Sequence, residues 1–267
     1  MQSRPVKTCA LRSGSSGNSI FVGSQSTRLL IDAGICARSI EQSLQGIDEE
    51  AAGLDGILVT HEHSDHIAGV GVMMRRYKLP VFANLATWQA MRPSIGKIDE
   101  RLVRVIETGQ RNQIGDLVFS SFSTPHDAAS PVGYRIELPG GDVSVITDIG
   151  SWQEPVLTSV AGSRIVYIEA NYDHAMLMGG AYPALLKQRI CSDYGHLSNE
   201  DCATAVCSLL ESGTSQFVLS HLSKDNNYPE LALLTVNSRL DIIGARRGRD
   251  LGIGVARRYA NSEPLCF

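Results

Sequence analysis

The chain has 267 residues, 19% of them charged, and its 24 Lys and Arg against 28 Asp and Glu give a formal net charge of −4. Because average globular proteins carry roughly 25% charged residues, this composition excludes a disordered, highly charged chain. The acidic balance argues against a strongly basic nucleic-acid-binding protein, although it leaves room for an enzyme whose local site is positive.

Targeting segments and cysteine spacing further restrict the class of protein and its cellular compartment. No apolar run approaches the roughly 18 residues of a membrane-spanning helix, and the start of the chain shows no apolar signal segment. The six cysteines include no C-x-x-C pair, so we expect scattered reduced thiols. The sequence therefore predicts a cytoplasmic protein without membrane contact, and no segment indicates a stable protein partner.

Short apolar runs separated by Gly, Pro and Asn predict a strand-rich chain. In the first part, the predicted strands are 6–11, 19–22, 28–31, 56–59 and 81–84, and the predicted helix is 67–77. In the second part, the predicted strands are 117–123, 132–138, 143–147, 164–169 and 216–220, and the predicted helices are 198–210 and 228–239. Ser198 is the expected N-cap of its helix. With no internal repeat and no dividing linker, we predict a single domain over residues 1–267.

The strongest chemical signal is H-E-H-S-D-H at residues 61–66, directly after the apolar run that ends in a threonine. Residues two apart on a segment that leaves a strand point to one side, so His61 and His63 can share an ion. Asp65 and His66 follow and can reach a second ion. Imidazole and carboxylate ligands suit Zn²⁺, Mn²⁺ or Fe²⁺ rather than Ca²⁺. A solvated polar loop is a poor explanation for so many ligand types at this spacing.

Three further ligand candidates follow predicted strands. His126 comes after 117–123, Asp148 ends an apolar strand, and His221 ends another. A polar residue at the end of a buried strand is where a rigid scaffold presents functional groups. A lone histidine in such a place is usually structural, but three such residues together with the 61–66 cluster indicate a binuclear metal site.

In order and rough spacing, these residues resemble the metallo-β-lactamase fold. The resemblance implies an α+β protein, an αββα sandwich of two mixed β-sheets with outer helices. It also implies two divalent ions, Zn²⁺ or Mn²⁺, with these ligands: His61, His63 and His126 for the first, Asp65, His66 and His221 for the second, and Asp148 as the bridge. An aspartate at 148, where a β-lactamase would have a cysteine, is similar to the hydrolase and phosphodiesterase branch.

Further segments resemble the YycJ/WalJ group of bacterial metal-dependent hydrolases, which are relatives of RNase Z and RNase J. These segments run from about residue 10 to 230 and are SGSSGNS, LLIDAG, HEHSDHIAG, SFSTPHDA, TDIG, EANYD, SDYGHLSNED and HLSKDNN. The resemblance implies a 5′→3′ exonuclease acting on DNA, with a role in DNA repair. One departure is Asn171-Tyr172-Asp173-His174 in place of the expected Asn-His-Asp, so neither Tyr172 nor His174 is assigned a role.

Several residues are candidates for contact with substrate. Ser15 and Asn18 lie in the Gly/Ser loop 13–19, whose backbone N–H groups can bind a phosphate, although a tight flexible turn explains the loop equally well. His196 precedes a helix N-terminus, which attracts anions. In the RNase J and RNase Z relatives the similar His-x-Ser segment touches the scissile phosphate. The resemblance therefore implies phosphate contact or proton donation by His196 and phosphate contact by Ser198.

Three weaker candidates complete the predicted site. Lys224 and Asn226 come just after His221, where they either neutralise phosphate or are ordinary surface residues. Asp32 directly follows the run 28–31, and in the fold that is resembled a residue at this place orients a metal ligand.

The expected reaction is hydrolysis of a phosphodiester by a hydroxide held between the two ions. Asp65 would orient that hydroxide, and His196 would protonate the leaving oxygen. Two alternatives stay open on the sequence alone. One is a small-molecule phosphodiesterase or thioester hydrolase on the same site, because no feature demands a polymer. The other is a non-catalytic regulatory metal-binding protein, against which the complete ligand set argues.

Overall fold

The structure is a computed structural model that describes residues 5–267. Residues 1–4, which belong to the predicted domain range, lie outside the described residues. Two seven-stranded sheets carry the architecture.

The first sheet is built from the N-terminal part of the chain and a short C-terminal strand. Its strands are β1 (Lys7–Arg12), β2 (Ser19–Gly23), β3 (Arg28–Ile31), β4 (Gly56–Leu58), β5 (Val81–Ala83), β6 (Val103–Val105) and β14 (Leu265–Cys266). Their spatial order is β14-β1-β2-β3-β4-β5-β6.

The second sheet takes all of its strands from the middle and the C-terminal part of the chain. They are β7 (Arg111–Ile114), β8 (Leu117–Ser123), β9 (Val132–Glu137), β10 (Val143–Ile146), β11 (Ile165–Glu169), β12 (Gln216–Ser220) and β13 (Gly252–Val255). Their spatial order is β13-β12-β11-β10-β9-β8-β7.

The two sheets repeat one topology that the sequence does not reveal. In the first, β1, β2 and β3 pair antiparallel, and β3, β4, β5 and β6 pair parallel. In the second, β8, β9 and β10 pair antiparallel, and β10, β11, β12 and β13 pair parallel. Both sheets are therefore mixed, and the predicted fold class is confirmed.

Most of the helices cover the outer faces of the sheets, and the two that lie between residues 174 and 190 pack in a small cluster of their own. The helices are α1 (Ala37–Gln45), α2 (Ser64–Ile67), α3 (Val70–Tyr77), α4 (Leu85–Met91), α5 (Glu154–Val160), α6 (His174–Gly179), α7 (Ala184–Ile190), α8 (Asn199–Glu211) and α9 (Pro229–Ile242). No helix among residues 5–267 combines the length and the apolar character needed to span a bilayer.

The structure confirms one predicted helix start, at Ser198, and contradicts another, at residue 67. Ser198 is the N-cap of α8, and its hydroxyl accepts a hydrogen bond from the backbone N–H of Asp201, as predicted. The helix predicted over 67–77 is wrong in its start, because α2 and α3 are separated at Gly69. There the backbone N–H of Gly69 bonds to the carbonyl oxygen of Ala33, and a Cβ at Gly69 would overlap the carbonyl oxygen of Ile35.

Alternation along the strands explains the layers. On β3, Leu30 packs into the core under α1 and α3, whereas Leu29 and Ile31 face the second sheet. On β11, Tyr167 faces the first sheet, while Ile168 packs under α8 and α9. Both faces of these strands are therefore buried, and this is why they read as continuous apolar runs.

Candidate metal centre

The site lies where parallel strands of both sheets end, the edge at which α/β sheets bind ligands. Asp32 directly follows β3, and the 61–66 segment follows β4. In the second sheet Asp148 follows β10, Glu169 is the last residue of β11, and His221 directly follows β12. Strands of two facing sheets thus aim side chains at one point.

Three of these residues have left-handed backbones, at φ 61° for Asp32, 58° for Asp148 and 55° for His221. This conformation is uncommon for residues with a Cβ, and Asp and His tolerate it better than most. Backbone strain of this kind concentrates at functional sites. The sharp turn lets a residue immediately after a strand carry its side chain into the site.

One group of ring nitrogens comes from His61, His63 and His126. The Nδ1 atom of His63 lies 3.1 Å from Nε2 of His61 and 3.4 Å from Nε2 of His126. Burial, followed by the charge of nearby His66, holds the pKa of His61 well below its usual range. Neutral imidazole is the form that binds metals, so this group fits the first predicted metal position.

A second group consists of Asp65, His66 and His221. The Oδ2 atom of Asp65 lies 3.7 Å from Nε2 of His66 and 3.6 Å from Nε2 of His221. Between the two groups, Asp148 places Oδ2 at 3.0 Å from Nε2 of His66 and Oδ1 at 3.7 Å from Nε2 of His126. The structure thus brings together all seven residues predicted as ligands, and Asp148 reaches both groups.

The donor set fits divalent cations. Asp148 Oδ2, although it lies 3.0 Å from Nε2 of His66, and His221 Nε2 are buried without a hydrogen bond of acceptable geometry, an arrangement that is costly unless something else satisfies them. Burial alone would lower the pKa of His221, but Asp148, Asp65 and Glu169 raise it to about 10. The carboxylates therefore demand positive charge at this point, which metal ions would supply.

Asp32 lies behind the ligands, where it was predicted. Its Oδ2 atom is 2.7 Å from Nδ1 of His66 and accepts a hydrogen bond from the hydroxyl of Thr60. Its Oδ1 atom accepts the backbone N–H of Thr60. A carboxylate on the far ring nitrogen fixes the tautomer and the orientation of a ligating histidine.

Glu169 plays the same supporting part in the second sheet, and the sequence analysis missed it. Its side chain is fully buried, with Oε1 at 2.7 Å from Nδ1 of His221 and 2.9 Å from Nδ1 of His196. Its Oε2 accepts the backbone N–H of Ile149. A signal was present, because Glu169 ends an apolar run in the same way as Asp148 does.

His196 lines the metal pocket, a cavity of about 280 Å³. Burial would lower its pKa, but Glu169 raises it above the ordinary value. Glu169 therefore favours the protonated form of this ring next to the pocket, which is the form that a proton donor requires.

The predicted substrate contacts separate into two sets. Ser15 is exposed and lines the metal pocket. Asn18 is buried, with Nδ2 at 3.0 Å from Nε2 of His66, so it holds the ligand segment in place. Ser198 donates its hydroxyl to Asp201 and acts as a helix cap. Contact of Asn18 and Ser198 with phosphate stays a prediction, which this bonding does not favour.

Lys224 and Asn226 do not line the metal pocket. Lys224 lines a neighbouring cavity, and Asn226 is buried against Ser223. The left-handed backbone of His221 turns the chain away from the ligands at this point. Proximity to His221 in sequence therefore does not become proximity to the metal site.

The cation that does line the metal pocket is Arg189, which the sequence analysis also missed. It belongs to α7, forms an ion pair with Asp127, and also lines an adjoining cavity of about 170 Å³. No sequence signal identified it, because α7 was not predicted. Tyr172 is buried beside Leu177, and His174 is exposed at the start of α6, so neither reaches the metal pocket.

Comparison with known proteins finds relatives along nearly the whole chain. The family model described as "Beta-lactamase superfamily domain" matches residues 27–222. Exodeoxyribonuclease WalJ of Streptococcus pneumoniae is 41% identical over 260 residues, which cover 97% of this chain and 94% of WalJ. Exodeoxyribonuclease YycJ of Bacillus anthracis is 38% identical over 254 residues, covering 95% of this chain and 94% of YycJ.

Solved structures share the fold at low sequence identity. The metallo-beta-lactamase fold protein YhfI from Bacillus subtilis matches with a TM-score of 0.71 at 16% identity, covering 97% of this chain and 99% of YhfI. Human tRNase Z, short form, matches with a TM-score of 0.64 at 13% identity, covering 96% of this chain and 98% of that protein. These similarities concern the fold alone.

Proposed function

Because the chain belongs to the β-lactamase superfamily, and within it to the group of the exodeoxyribonucleases WalJ and YycJ, we propose that it is a metal-dependent exonuclease that hydrolyses the phosphodiester bonds of DNA. One observation carries the proposal. Two buried groups of imidazoles and carboxylates converge on either side of Asp148 in a single open pocket.

The proposed cofactors are two divalent ions, Zn²⁺ or Mn²⁺, one for each ligand group. Bound there, such ions supply a water of lowered pKa and neutralise phosphoryl oxygens. The imidazole and carboxylate set suits both metals, so their availability decides between them.

The chain's own residues position the substrate and move a proton. Asp65 faces the pocket and can accept a hydrogen bond from the attacking water. The protonated ring of His196, held by Glu169, donates its proton to the leaving oxygen. Ser15 and Arg189 lie where they can bind the oxygens of the substrate's phosphates. Arg189 takes the place in this pocket that the sequence analysis gave to Lys224.

The 5′→3′ direction, a role in DNA repair and a cytoplasmic location stay predictions. We further propose that residues 1–267 act as one hydrolase domain. Support comes from the ligand groups, because both sheets contribute to them.

The test loads the full chain with Mn²⁺ or with Zn²⁺ and incubates it with 5′- and 3′-labelled single- and double-stranded DNA and RNA. We expect mononucleotides to be released from DNA, starting at the 5′ end. Bis(p-nitrophenyl) phosphate and a thioester are the comparison substrates. Turnover of the thioester without any DNA degradation would replace the proposal by the small-molecule alternative, and a metal-replete chain inactive on every substrate would support the regulatory one.

A further inference from the structure

A second cavity, of about 510 Å³, lies next to the cavity that adjoins the metal pocket. Leu222 and Ser223, the two residues after His221, form part of its wall, and Ser223 also lines the adjoining cavity that contains His196. Ser13 lines it too, and its hydroxyl accepts the backbone N–H of His221. The wall of this cavity is thus linked to the candidate metal centre by the short backbone segment that follows His221.

The charges around this cavity are all positive. Lys224, Arg257 and Arg258 line it, and no Asp or Glu does. Among residues 5–267, none of these three cations lies within ion-pair distance of a carboxylate. On a chain whose net charge is −4, three uncompensated cations at one opening make a local site for an anion.

Two tyrosines complete the opening. Tyr228 is 48% exposed and Tyr259 is 67% exposed, which is unusual for large aromatic side chains. The guanidinium of Arg258 lies 6.0 Å from the ring centroid of Tyr259 and donates a hydrogen bond to the carbonyl oxygen of Leu222. Exposed aromatic faces combined with unpaired cations are what single-stranded nucleic acid binds, with bases on the rings and phosphates on the cations.

Arg258 also connects this cavity to the loop that reaches the metal pocket. The guanidinium of Arg258 packs against the backbone of Gly14, where a Cβ would lie 2.7 Å from Nη1, and φ 132° at Gly14 favours glycine at this position. Ser15, the next residue, lines the metal pocket. One strand could therefore touch both places at once.

We propose that this cavity holds a single-stranded segment of the DNA substrate next to the scissile phosphodiester, with bases stacked on Tyr228 and Tyr259 and phosphates on Lys224 and Arg257. The inference rests on the proposed function and deepens it. The inner bases of a duplex already have both faces stacked, so two bases of one strand can stack on these two rings only where that strand is unpaired. The substrate class is thus a polymer with an unpaired stretch.

The first test separates binding along the strand from chemistry. The kinetic constants of Tyr228→Ala and Tyr259→Ala are compared on a single-stranded dodecanucleotide and on a dinucleotide too short to reach the cavity. We expect KM for the dodecanucleotide to rise about tenfold per variant, the loss of one stacked base. We expect kcat, and both constants on the dinucleotide, to stay unchanged, and Tyr228→Phe and Tyr259→Phe to behave as wild type.

The second test needs no activity. Binding of fluorescein-labelled oligothymidylate is measured by anisotropy over a range of salt concentrations for Lys224→Gln and Arg257→Gln. Each variant should flatten the slope of log affinity against log salt by about 0.7, the value for one lost contact to single-stranded nucleic acid. Arg247→Gln is the matched control, because Arg247 precedes the start of β13 whereas Arg257 follows its end. The salt slope of this variant should equal that of the wild type.

Two results would overturn the inference. One is an active enzyme whose KM for the dodecanucleotide is unaffected by both alanine variants, and the other is a salt slope that Lys224→Gln and Arg257→Gln leave unchanged. A chain that binds oligothymidylate through these residues yet degrades no DNA would instead overturn the proposed function and leave the binding surface intact.

Discussion

The two sheets share one topology, and two equivalent aspartates in them differ in what they touch. Asp32 follows β3 and Asp148 follows β10, each the strand at which antiparallel pairing changes to parallel. Both have left-handed backbones, and each stands two residues before a tightly packed glycine. Asp32 nevertheless lies behind His66, whereas Asp148 reaches both ligand groups. Equivalent places in the fold thus hold a support in one sheet and a ligand in the other under the proposed assignment.

The sheets also differ in how they deliver the remaining ligands. The first sheet supplies four from one segment, 61–66, after a single strand. The second supplies His126, Asp148 and His221 one at a time, after the separate strands β8, β10 and β12, and adds the supporting Glu169 at the end of β11. Geometry in the first depends on one segment, a loop and the start of α2, whereas in the second it depends on how separate strands are aligned.

The largest effect is expected from Asp148→Asn, which keeps the size of the side chain and removes its charge. Nuclease activity should fall by more than the about 10–100-fold that is typical of residues that only orient ligands. Metal content, measured by elemental analysis, should fall with it, because Asp148 reaches both groups. Asp250→Asn is the control, because Asp250 pairs with Arg249 on the surface. An active and fully metallated Asp148→Asn variant would refute the bridging role.

Glu169→Gln should come next, with activity lowered towards 100-fold, at the upper end of the range for orienting residues. Glu169 contacts both His221 and His196, so one substitution disturbs a ligand and the proton donor. The carboxylate raises the pKa of His196, so the variant loses the protonated ring at a lower pH. The basic limb of the pH–rate profile should therefore move to lower pH, and an unmoved limb would exclude His196 as the acid.

Asp32→Asn should have a smaller effect, about tenfold in activity, because Asp32 orients only one ligand, His66. Assayed side by side, Asp148→Asn and Asp32→Asn measure directly how far the two equivalent aspartates have diverged. Equal losses in both rate and metal content would abolish the distinction between ligand and support.

The glycines that stand two residues after the equivalent aspartates, Gly34 and Gly150, should be equally sensitive to an added side chain. A Cβ at Gly34 would overlap the carbonyl oxygen of Asp65, and one at Gly150 would overlap that of Asp193. Gly34→Ala and Gly150→Ala should each lower the free energy of unfolding by about 1–3 kcal/mol, as overpacking does. Denaturant unfolding measures this, with Gly53→Ala as control because no atom lies within 4 Å of its Cβ position. A neutral Gly150→Ala next to a damaging Gly34→Ala would show that the sheets tolerate crowding differently.

The sequence predicted the buried strands well, because strands covered on both faces are continuous apolar runs. It did not predict the four edge strands, β6, β7, β13 and β14, which are largely half-exposed or exposed and, in β14, only two residues long. Helices α1 and α4–α7 were also missed, since they are short and packing rather than propensity stabilises such helices.

The site was predictable to the degree that its residues are neighbours in sequence or end an apolar run. The 61–66 cluster satisfies the first condition, and Asp148 and His221 satisfy the second. Glu169 satisfies the second as well, so its position at the end of an apolar run was enough to identify it. Arg189 satisfies neither condition, because tertiary packing of α7 alone places it at the pocket.

The left-handed backbones of Asp148 and His221 influence which substitutions this sequence accumulates during evolution. Each costs up to about 1–2 kcal/mol that glycine would not incur. Selection for hydrolysis has to maintain both residues against that cost. In a lineage that had given up the reaction, these two positions would be expected to drift to glycine early. Such replacements would mark the loss of function while the fold is still intact.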